Sequence, residues 1–190
     1  METEIIQEVG YNEAIQGIGY SFGVNDKERL KLIAEKLSSR DGGHNKFLES
    51  MVVWVDINAP RYFWSEFDTY RVGTTKQSQS TIHTITHRTL KQDDFEHEVY
   101  AHTLISLNKS IVEYQHAELK EKKYKLFMEI KNNLPEGFLQ RRMVCTNYKV
   151  LKNIILQRKN HKLKEWGVFI SALLDQLQFP HFVTKFKEKD

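Results

Sequence analysis

Length, composition and charge exclude several classes of protein. The chain has 190 residues, of which 40% are hydrophobic and 28% charged, so it is long enough for a buried core and too apolar for a disordered chain. We expect one domain over residues 1–190. The formal charge of +3 is too small to require a nucleic-acid partner, and the single cysteine, Cys145, excludes an internal disulfide.

The N-terminus and the cysteine content favour the cytoplasm. The first residues, METEIIQEVGYNE, are acidic and lack the basic and apolar regions of a signal peptide. No apolar stretch approaches membrane-spanning length, so we expect no membrane association. One cysteine without a partner is typical of a reducing compartment.

The N-terminal region is expected to contain a strand and two helices. Residues 4–9 are consistent with an edge strand, and residues 12–22 with a short helix weakened by glycines. Asn25 and Glu28 form a plausible capping pair for a helix over 26–38, whose apolar residues recur at helical spacing.

The stretch from Gly43 to Thr81 concentrates chemically active side chains among aromatic ones. Charged groups are costly to bury unless they are partnered, so a shared site is one interpretation and a core strand followed by a core helix is the other. From Met51 to Ile57 the apolar residues alternate, which predicts a strand. Asn58-Ala59-Pro60 then predicts a helix from about Ala59 to Asp68.

The segment after this helix is polar and carries two histidines. Residues 72–90 are rich in Thr, Ser and Gln, and we expect an ordered loop with short extended pieces. His83 and His87 stand four apart, but the β-branched residues between them disfavour a helix and the glutamate of an HExxH motif is missing. We therefore expect surface or hydrogen-bonding histidines and no metal site.

The C-terminal half predicts helices around one further strand. Periodic apolar residues indicate two helices, or one broken helix, over 93–133, and a strand over 141–146. Thr146 or Asn147 is expected to cap a helix that reaches Arg158, and Asn160 a helix that ends before Pro180. Together these elements indicate an α/β fold of the α+β type, with a small sheet packed against several helices.

Asn147 and Arg158 lie on nearly the same side of the predicted helix. They are eleven residues apart, which is close to three turns and about 16 Å along the axis. That separation suits two ends of a nucleotide-sized ligand, or two neighbouring ligands. Eight basic residues between Arg141 and Lys164 leave a nucleic-acid surface open as an alternative.

Two ordered blocks of residues resemble the flavin-dependent thymidylate synthases. The first block corresponds to the family's GHxSxxEH motif, strand, and helix leading to the RHR signature, and consists of Gly43-His44, Glu49, MVVWVDI, Ala59-Pro60 and Arg71. The second resembles the family's RxxLP and NxR motifs and the residues that follow, and consists of Lys131, Leu134-Pro135, Asn147, Lys149, Leu151, Asn153 and Arg158. Both blocks match without gaps.

The resemblance implies a fold, an assembly and a reaction. Family members are homotetramers of an α/β fold with active sites shared between subunits. They bind FAD and dUMP, take a methylene group from methylenetetrahydrofolate, and reduce it to a methyl group with a hydride from the flavin. A cysteine nucleophile is not needed, which agrees with the single Cys145.

The resemblance also assigns roles to individual residues. Arg158 is expected at the pyrimidine, where a fixed cation stabilises negative charge that develops on the ring. Lys131 stands where the family has an arginine and would hold the nucleotide as a point charge. The residues expected to bind nucleotide are Lys131, Arg158, Glu66, Gln77 and Gln79, and those expected to bind the cofactor are His44, Tyr70, Arg71, Asn147 and Lys149.

The chain departs from the family at its most specific motifs. Thr69-Tyr70-Arg71 stands in place of RHR, and TKQSQST, residues 75–81, lacks the acid and the arginine of NExSxRY. Tyr70 stacking on a ring, and hydrogen bonds from Gln77 or Gln79, are the substitutes that the sequence offers.

The same residues have structural interpretations. Arg61 and Arg71 are candidates for ion pairs with the acids Glu49, Glu66 or Asp68. His44 is a candidate for steadying its loop, and Asn147 for a helix cap alone.

Three functions follow from these observations. The first is an enzyme that acts at C5 of a pyrimidine deoxynucleotide with FAD and methylenetetrahydrofolate. The second is a homo-oligomer that binds or sequesters a nucleotide without flavin or turnover. The third is a basic nucleic-acid-binding module.

Overall fold

A computed structural model of the protein describes residues 1–40 and 43–186. In chain order its elements are β1 (Glu2–Val9), α1 (Tyr11–Phe22), α2 (Lys27–Ser38), β2 (Val52–Pro60), α3 (Arg61–Phe67), β3 (Thr75–Ser78), α4 (Thr81–Thr84), α5 (Ala101–His116), α6 (Lys120–Asn133), β4 (Leu139–Asn147), α7 (Tyr148–Arg158), α8 (Lys164–Gln176) and α9 (His181–Thr184). Short 3-10 turns cover Lys46–Glu49 and Gln92–Asp94.

The described strands form one four-stranded sheet in the order β1-β2-β4-β3. Backbone bonds at both ends show that β2 and β4 run antiparallel. The amide of Arg61, after β2, donates to Phe138 O before β4, and the amide of Tyr148, after β4, donates to Met51 O before β2. The predicted α/β fold with a small sheet and several helices is therefore confirmed.

Alternation in β2 separates a buried face from a more accessible one. Met51, Val53, Val55 and Ile57 are each at most 1% exposed, whereas Trp54 on the opposite face is 36% exposed. The period-two pattern predicted this division correctly, since successive side chains in a strand point to opposite faces.

Several predicted boundaries and caps are wrong. The helix expected from Ala59 begins at Arg61, because β2 continues through Pro60. Asp26, rather than Asn25, caps α2 by accepting a hydrogen bond from the Arg29 amide at 2.7 Å. Asn160 caps no helix, since α8 begins at Lys164 without a side-chain cap.

The described chain divides into two compact units. Unit 1 comprises Met1, Asn58–Phe67 and Ser78–Arg142. Its core is built by α5, which packs against α6, and by apolar residues of the neighbouring loops. The buried residues of this cluster are Ile85, Leu90, Phe95, Leu107, Ile111, Ile130, Leu134 and Phe138.

Unit 2 comprises the described parts of Glu2–Ile57, Asp68–Gln77 and Met143–Asp190. Helix α7 packs against α8 and α9, α8 packs against β1, and α1 packs against α2. Trp166, Leu151 and Leu173 are fully buried in this unit. The single domain expected over residues 1–190 stays a prediction.

Candidate functional site

Lys131 lies at the end of α6 and contacts the start of α4. Its Nζ donates a hydrogen bond to Thr81 Oγ1 at 2.6 Å. Leu134-Pro135 follows directly after α6, and a proline there prevents the helix from continuing, so Lys131 is fixed in the last turn. Among the described residues, no carboxylate lies within ion-pair distance of Lys131.

Arg61, the first residue of α3, is a second cation in unit 1. Its Nη2 atom lies 2.9 Å from Glu136 Oε1, and its Nη1 atom donates to the Leu134 carbonyl at 3.1 Å. The ion pair expected with Glu49, Glu66 or Asp68 is therefore formed with Glu136. We refer to Arg61, Thr81, Lys131 and Glu136 as the Lys131 cluster.

The ammonium group of Lys131 is in an unfavourable environment. Burial lowers the pKa of Lys131 below its ordinary value of 10.5, and the positive charge of Arg61 lowers it further. Both effects disfavour the charged form, since burial removes water from the ammonium and a like charge repels it. An anion bound beside Lys131 would stabilise the charged ammonium and so offset both effects.

Gln79 is held against the beginning of β4 in unit 1. Its backbone amide donates to the Arg141 carbonyl at 2.8 Å, and its backbone carbonyl accepts from Gln140 Nε2 at 2.7 Å. Gln79 is exposed, and Glu66 is half-buried on α3. Gln77, which is also exposed, belongs to unit 2, so the predicted nucleotide-binding residues are distributed over both units.

Arg158 is held by aromatic side chains in unit 2. Its Nε atom donates a hydrogen bond to the Tyr70 hydroxyl at 3.0 Å. Its guanidinium carbon lies 5.7 Å from the centre of the Tyr70 ring and 4.8 Å from that of Trp166. Both distances are in the range of cation–π contacts.

The Tyr70 hydroxyl connects Arg158 to its neighbour on α7. It donates to Gln157 Oε1 at 2.9 Å, and Gln157 Nε2 donates to Asn153 Oδ1 at 3.0 Å. Tyr70 is 9% exposed and Trp166 is fully buried. We refer to Tyr70, Gln157, Arg158 and Trp166 as the Arg158 cluster.

The predicted cofactor residue Lys149 contacts a neighbour of His44. Its Nζ donates a short hydrogen bond to Asn45 Oδ1, and Asn45 is 1% exposed. The Asn45 Nδ2 atom is buried and has no hydrogen-bond partner among the described residues. Leaving such a donor unpaired is costly, so it is a place where a bound acceptor would stabilise the protein. His44 itself is exposed.

Of the two expected caps, Thr146 and Asn147, it is Asn147 that caps α7. Its side chain accepts from the Val150 amide at 3.0 Å. The loop that carries Tyr70 and Arg71 packs closely against this helix start. A Cβ on Gly73 of that loop would lie 3.0 Å from Asn147 Nδ2 and from the Val150 side chain. Gly73 also has φ +67°, which favours glycine. Arg71 is exposed.

Three further observations on the described residues concern a cavity, metal sites and membrane-spanning helices. A cavity of about 520 Å³ in unit 2 is lined by Glu8, Tyr11, Met51, Tyr148, Phe179 and neighbours, and by no predicted site residue. No described group of three or more His, Cys, Asp or Glu has the arrangement of a metal site. No described helix is long and apolar enough to cross a membrane.

Sequence reasoning missed several residues of these clusters. Thr81 is 50 positions from Lys131, and no local pattern joins them. Trp166 and Asn45 are buried residues that look like ordinary core and loop positions in the sequence. Gln157 is the residue that the sequence could most easily have identified, since it adjoins Arg158 and lies four residues after Asn153 on one helix face.

Comparisons with known proteins identify the fold. No model of a known protein family matches the chain, and no curated protein matches it. A crystal structure of the flavin-dependent thymidylate synthase ThyX from Helicobacter pylori, complexed with FAD and dUMP, matches with a TM-score of 0.77 and 19% sequence identity, over 98% of this chain and 100% of the other. The chain therefore has the fold of a flavin-dependent thymidylate synthase.

A second crystal structure of ThyX from the same organism, with FAD and dUMP, gives a TM-score of 0.74 and 20% identity, over 97% of each chain. The resemblance stated from two sequence blocks is thus confirmed at the level of the fold. The identity is too low to carry over a ligand or a reaction.

Proposed function

We propose that the protein binds a pyrimidine deoxynucleoside monophosphate such as dUMP, with its phosphate at the Lys131 cluster. The observation that carries this proposal is the environment of Lys131. Its ammonium is half-buried, has a lowered pKa and lies beside Arg61 without a carboxylate of its own among the described residues. A phosphate would supply the missing negative charge through charge-assisted hydrogen bonds.

Arg158 is the proposed contact to the pyrimidine ring. A guanidinium fixed against buried rings is suited to stabilising negative charge on a bound base, because little reorganisation is needed when the charge develops. Since the resemblance implies active sites shared between subunits, Lys131 and Arg158 of one chain are not required to contact the same nucleotide. Glu66, Gln77 and Gln79 remain candidate nucleotide contacts.

FAD is the proposed cofactor of the enzymatic form of this function. The donors of unit 2 fit an anionic cofactor, because the buried Asn45 amide lacks an acceptor and the basic side chains of Lys149, His44 and Arg71 occur in the same unit. When bound, FAD supplies the hydride that reduces a methylene group taken from methylenetetrahydrofolate. In this reaction Lys131 would bind the phosphate, and Arg158 would stabilise charge on the pyrimidine.

A non-catalytic, nucleotide-binding protein is the alternative, and Tyr70 favours it. Tyr70 was expected to replace part of the RHR signature by stacking on the flavin ring. Its ring is almost fully buried, and its hydroxyl bonds Gln157 and Arg158. Because Tyr70 is engaged in these contacts within the chain, one contact fewer is left for a cofactor. A protein that has lost flavin and kept the nucleotide would fit this arrangement.

Thermal unfolding with matched ligands tests the nucleotide proposal. We expect dUMP to raise Tm and deoxyuridine, which lacks the phosphate, to leave it nearly unchanged, because at equal concentration the ligand with the lower Kd stabilises the folded state more. Equal shifts with both ligands, or none with either, would contradict the phosphate role of Lys131.

The visible absorption spectrum separates the enzymatic form from the alternative. The protein is recorded as purified, and again after addition of FAD and desalting. A retained flavin band supports the flavoenzyme, and the release of tritium from C5-labelled dUMP is then measured. A colourless protein that still binds dUMP supports the nucleotide-binding alternative.

The assembly and the location are further predictions of this proposal. The resemblance implies a homotetramer, which light scattering after size-exclusion chromatography measures directly. Binding of DNA that weakens steeply with salt would instead support the basic nucleic-acid-binding module. The cytoplasmic location expected from the sequence stays a prediction.

A further inference from the structure

We propose that Tyr70 is a positioning residue for Arg158, and that its hydroxyl fixes the guanidinium in the orientation that receives the pyrimidine ring. The inference rests on the proposed function, since Arg158 is the proposed contact to the base. It gives Tyr70 a role different from the flavin stacking expected from the sequence. Three features of the Arg158 cluster carry it.

The first feature is the direction of the hydrogen bonds. The Tyr70 hydroxyl has one proton, which it donates to Gln157 Oε1, so it meets the Arg158 Nε–H with an oxygen lone pair. The amide of Gln157 is oriented by a second contact, because its Nε2 donates to Asn153 Oδ1. Each donor in this series of hydrogen bonds from Arg158 to Asn153 therefore has a defined acceptor. Hydrogen bonds in such a series strengthen one another.

The second feature is the pair of rings beneath the guanidinium. The rings of Tyr70 and Trp166 meet at 74° with centres 6.1 Å apart, and the guanidinium of Arg158 contacts both. Two nearly perpendicular surfaces restrict both the tilt and the translation of a planar cation. Because Trp166 is fully buried and Tyr70 nearly so, neither ring can move without disturbing the core of unit 2.

The third feature is the cost of ordering an arginine. A flexible Arg side chain loses rotamer freedom when it binds a ligand, and this loss weakens affinity. In the Arg158 cluster the loss occurs on folding, so less remains to be lost on binding. A pre-oriented planar cation suits a ligand whose acceptors lie in one plane, such as the two carbonyl oxygens of a uracil ring.

The test is a double-mutant cycle on dUMP binding. Tyr70→Phe removes the hydroxyl and keeps the ring, and it should raise the Kd for dUMP about three- to tenfold, the range of one typical net hydrogen bond. Arg158→Met removes the guanidinium. In that background, with dUMP titrated to millimolar concentration by NMR, Tyr70→Phe should change the Kd less than about twofold, since non-additivity identifies residues that act through one another.

A second readout does not depend on a ligand. In the 15N-labelled protein the Arg158 Nε–Hε signal is assigned as the one lost in Arg158→Met. We expect Tyr70→Phe to shift this signal and to speed its exchange with water. Gln157→Met, which removes the acceptor of the Tyr70 hydroxyl, should do so to a smaller extent. Tyr124→Phe, at a hydroxyl of a side chain that is 65% exposed, serves as the control and should change neither the signal nor the Kd.

Three results would overturn the inference. One is a lower Tm of Tyr70→Phe with an unchanged Kd and an unchanged Arg158 signal, which would make the hydroxyl merely structural. Another is an equal loss of affinity in the wild-type and Arg158→Met backgrounds, which would mean that Tyr70 contacts the ligand itself. The third is an unchanged Arg158 signal in Tyr70→Phe when the wild-type protein binds no dUMP. In that case the proposed function and the positioning both fail. If dUMP does not bind but the signal changes, only the proposed function fails.

Discussion

Lys131 and Arg158 are two proposed ligand-binding cations that the fold holds in opposite ways. Lys131 is half-buried beside the positive charge of Arg61, and its nearest hydrogen-bonding partner is the neutral hydroxyl of Thr81. Arg158 lies on the faces of two aromatic rings and donates to a phenolic oxygen. Burial and the charge of Arg61 disfavour the charged form of Lys131, whereas two aromatic faces attract the guanidinium of Arg158.

This difference separates two kinds of binding. A lysine whose charge is disfavoured gains most from an anion of high charge density, and its contribution depends on pH. An arginine stays charged across the accessible pH range, so its contribution depends on orientation instead. In the proposed function, Lys131 makes the first kind of contact, with the phosphate, and Arg158 makes the second, with the base.

The largest expected effect is that of removing Arg158. Arg158→Ala should raise the Kd for dUMP about 100-fold or more, because hydrogen bonds to charged groups contribute up to about 3 kcal/mol each. Isothermal titration calorimetry measures this. Lys162→Ala makes the same change of charge at an exposed position nearby and should leave the Kd unchanged. Unchanged binding by Arg158→Ala would remove Arg158 from the site.

Removing Lys131 should weaken phosphate recognition specifically. Lys131→Met should raise the Kd for dUMP about 10- to 100-fold and leave the weaker binding of deoxyuridine nearly unchanged. Lys131→Arg keeps the charge and should retain most of the affinity. Lys125→Met, on the same helix and paired at the surface with Glu121, is the matched control. A parallel loss for both ligands would contradict a phosphate contact.

Lys131 should make both ligand binding and stability depend on pH. The affinity for dUMP should fall as pH rises through the lowered pKa of Lys131, because the ammonium loses its proton there. In the unliganded protein the sign is the reverse. The unfolded chain binds more protons in the window between the lowered pKa and 10.5, so the free energy of unfolding should rise with pH there. Lys131→Met should lose both effects, and denaturant titrations across pH measure the second.

The smallest expected effect concerns Asn147, whose cap and cofactor roles can be separated. Asn147→Ala should lower the free energy of unfolding by about 1 kcal/mol, the usual contribution of a helix cap. Asn147→Asp keeps the acceptor for the Val150 amide and should be nearly neutral. If flavin binds, Asn147→Asp should weaken it, because a carboxylate replaces an amide donor. Equal flavin binding by all three proteins would limit Asn147 to its cap.

Elements with a strong periodic pattern could be predicted from the sequence. The alternating residues of β2 and the cap of α7 by Asn147 were predicted because each depends on neighbours a few positions apart. The caps at Asn25 and Asn160 were predicted wrongly for a related reason. Asp26 satisfies the first turn of α2 one residue later, and α8 begins only at Lys164, without a side-chain cap.

The contacts of the site were less predictable, because they join distant parts of the chain. The sequence placed an aromatic residue, Tyr70, in the signature position but could not give its direction, which follows from contacts with Trp166, Gln157 and Arg158. It identified Lys131 and Arg61 as basic residues, but not that they repel each other. Ion pairs and pKa shifts of this kind depend on tertiary packing, which local patterns do not encode.

The most direct test of the nucleotide proposal compares two ligands in two proteins. Titration calorimetry gives the difference in binding free energy between dUMP and deoxyuridine, first for the wild-type protein and then for Lys131→Met. We predict a preference of the wild-type protein for dUMP of about 2 kcal/mol, as for a charge-assisted contact, and a much smaller preference of the variant. The same preference in both proteins would contradict the claim that the phosphate binds at Lys131.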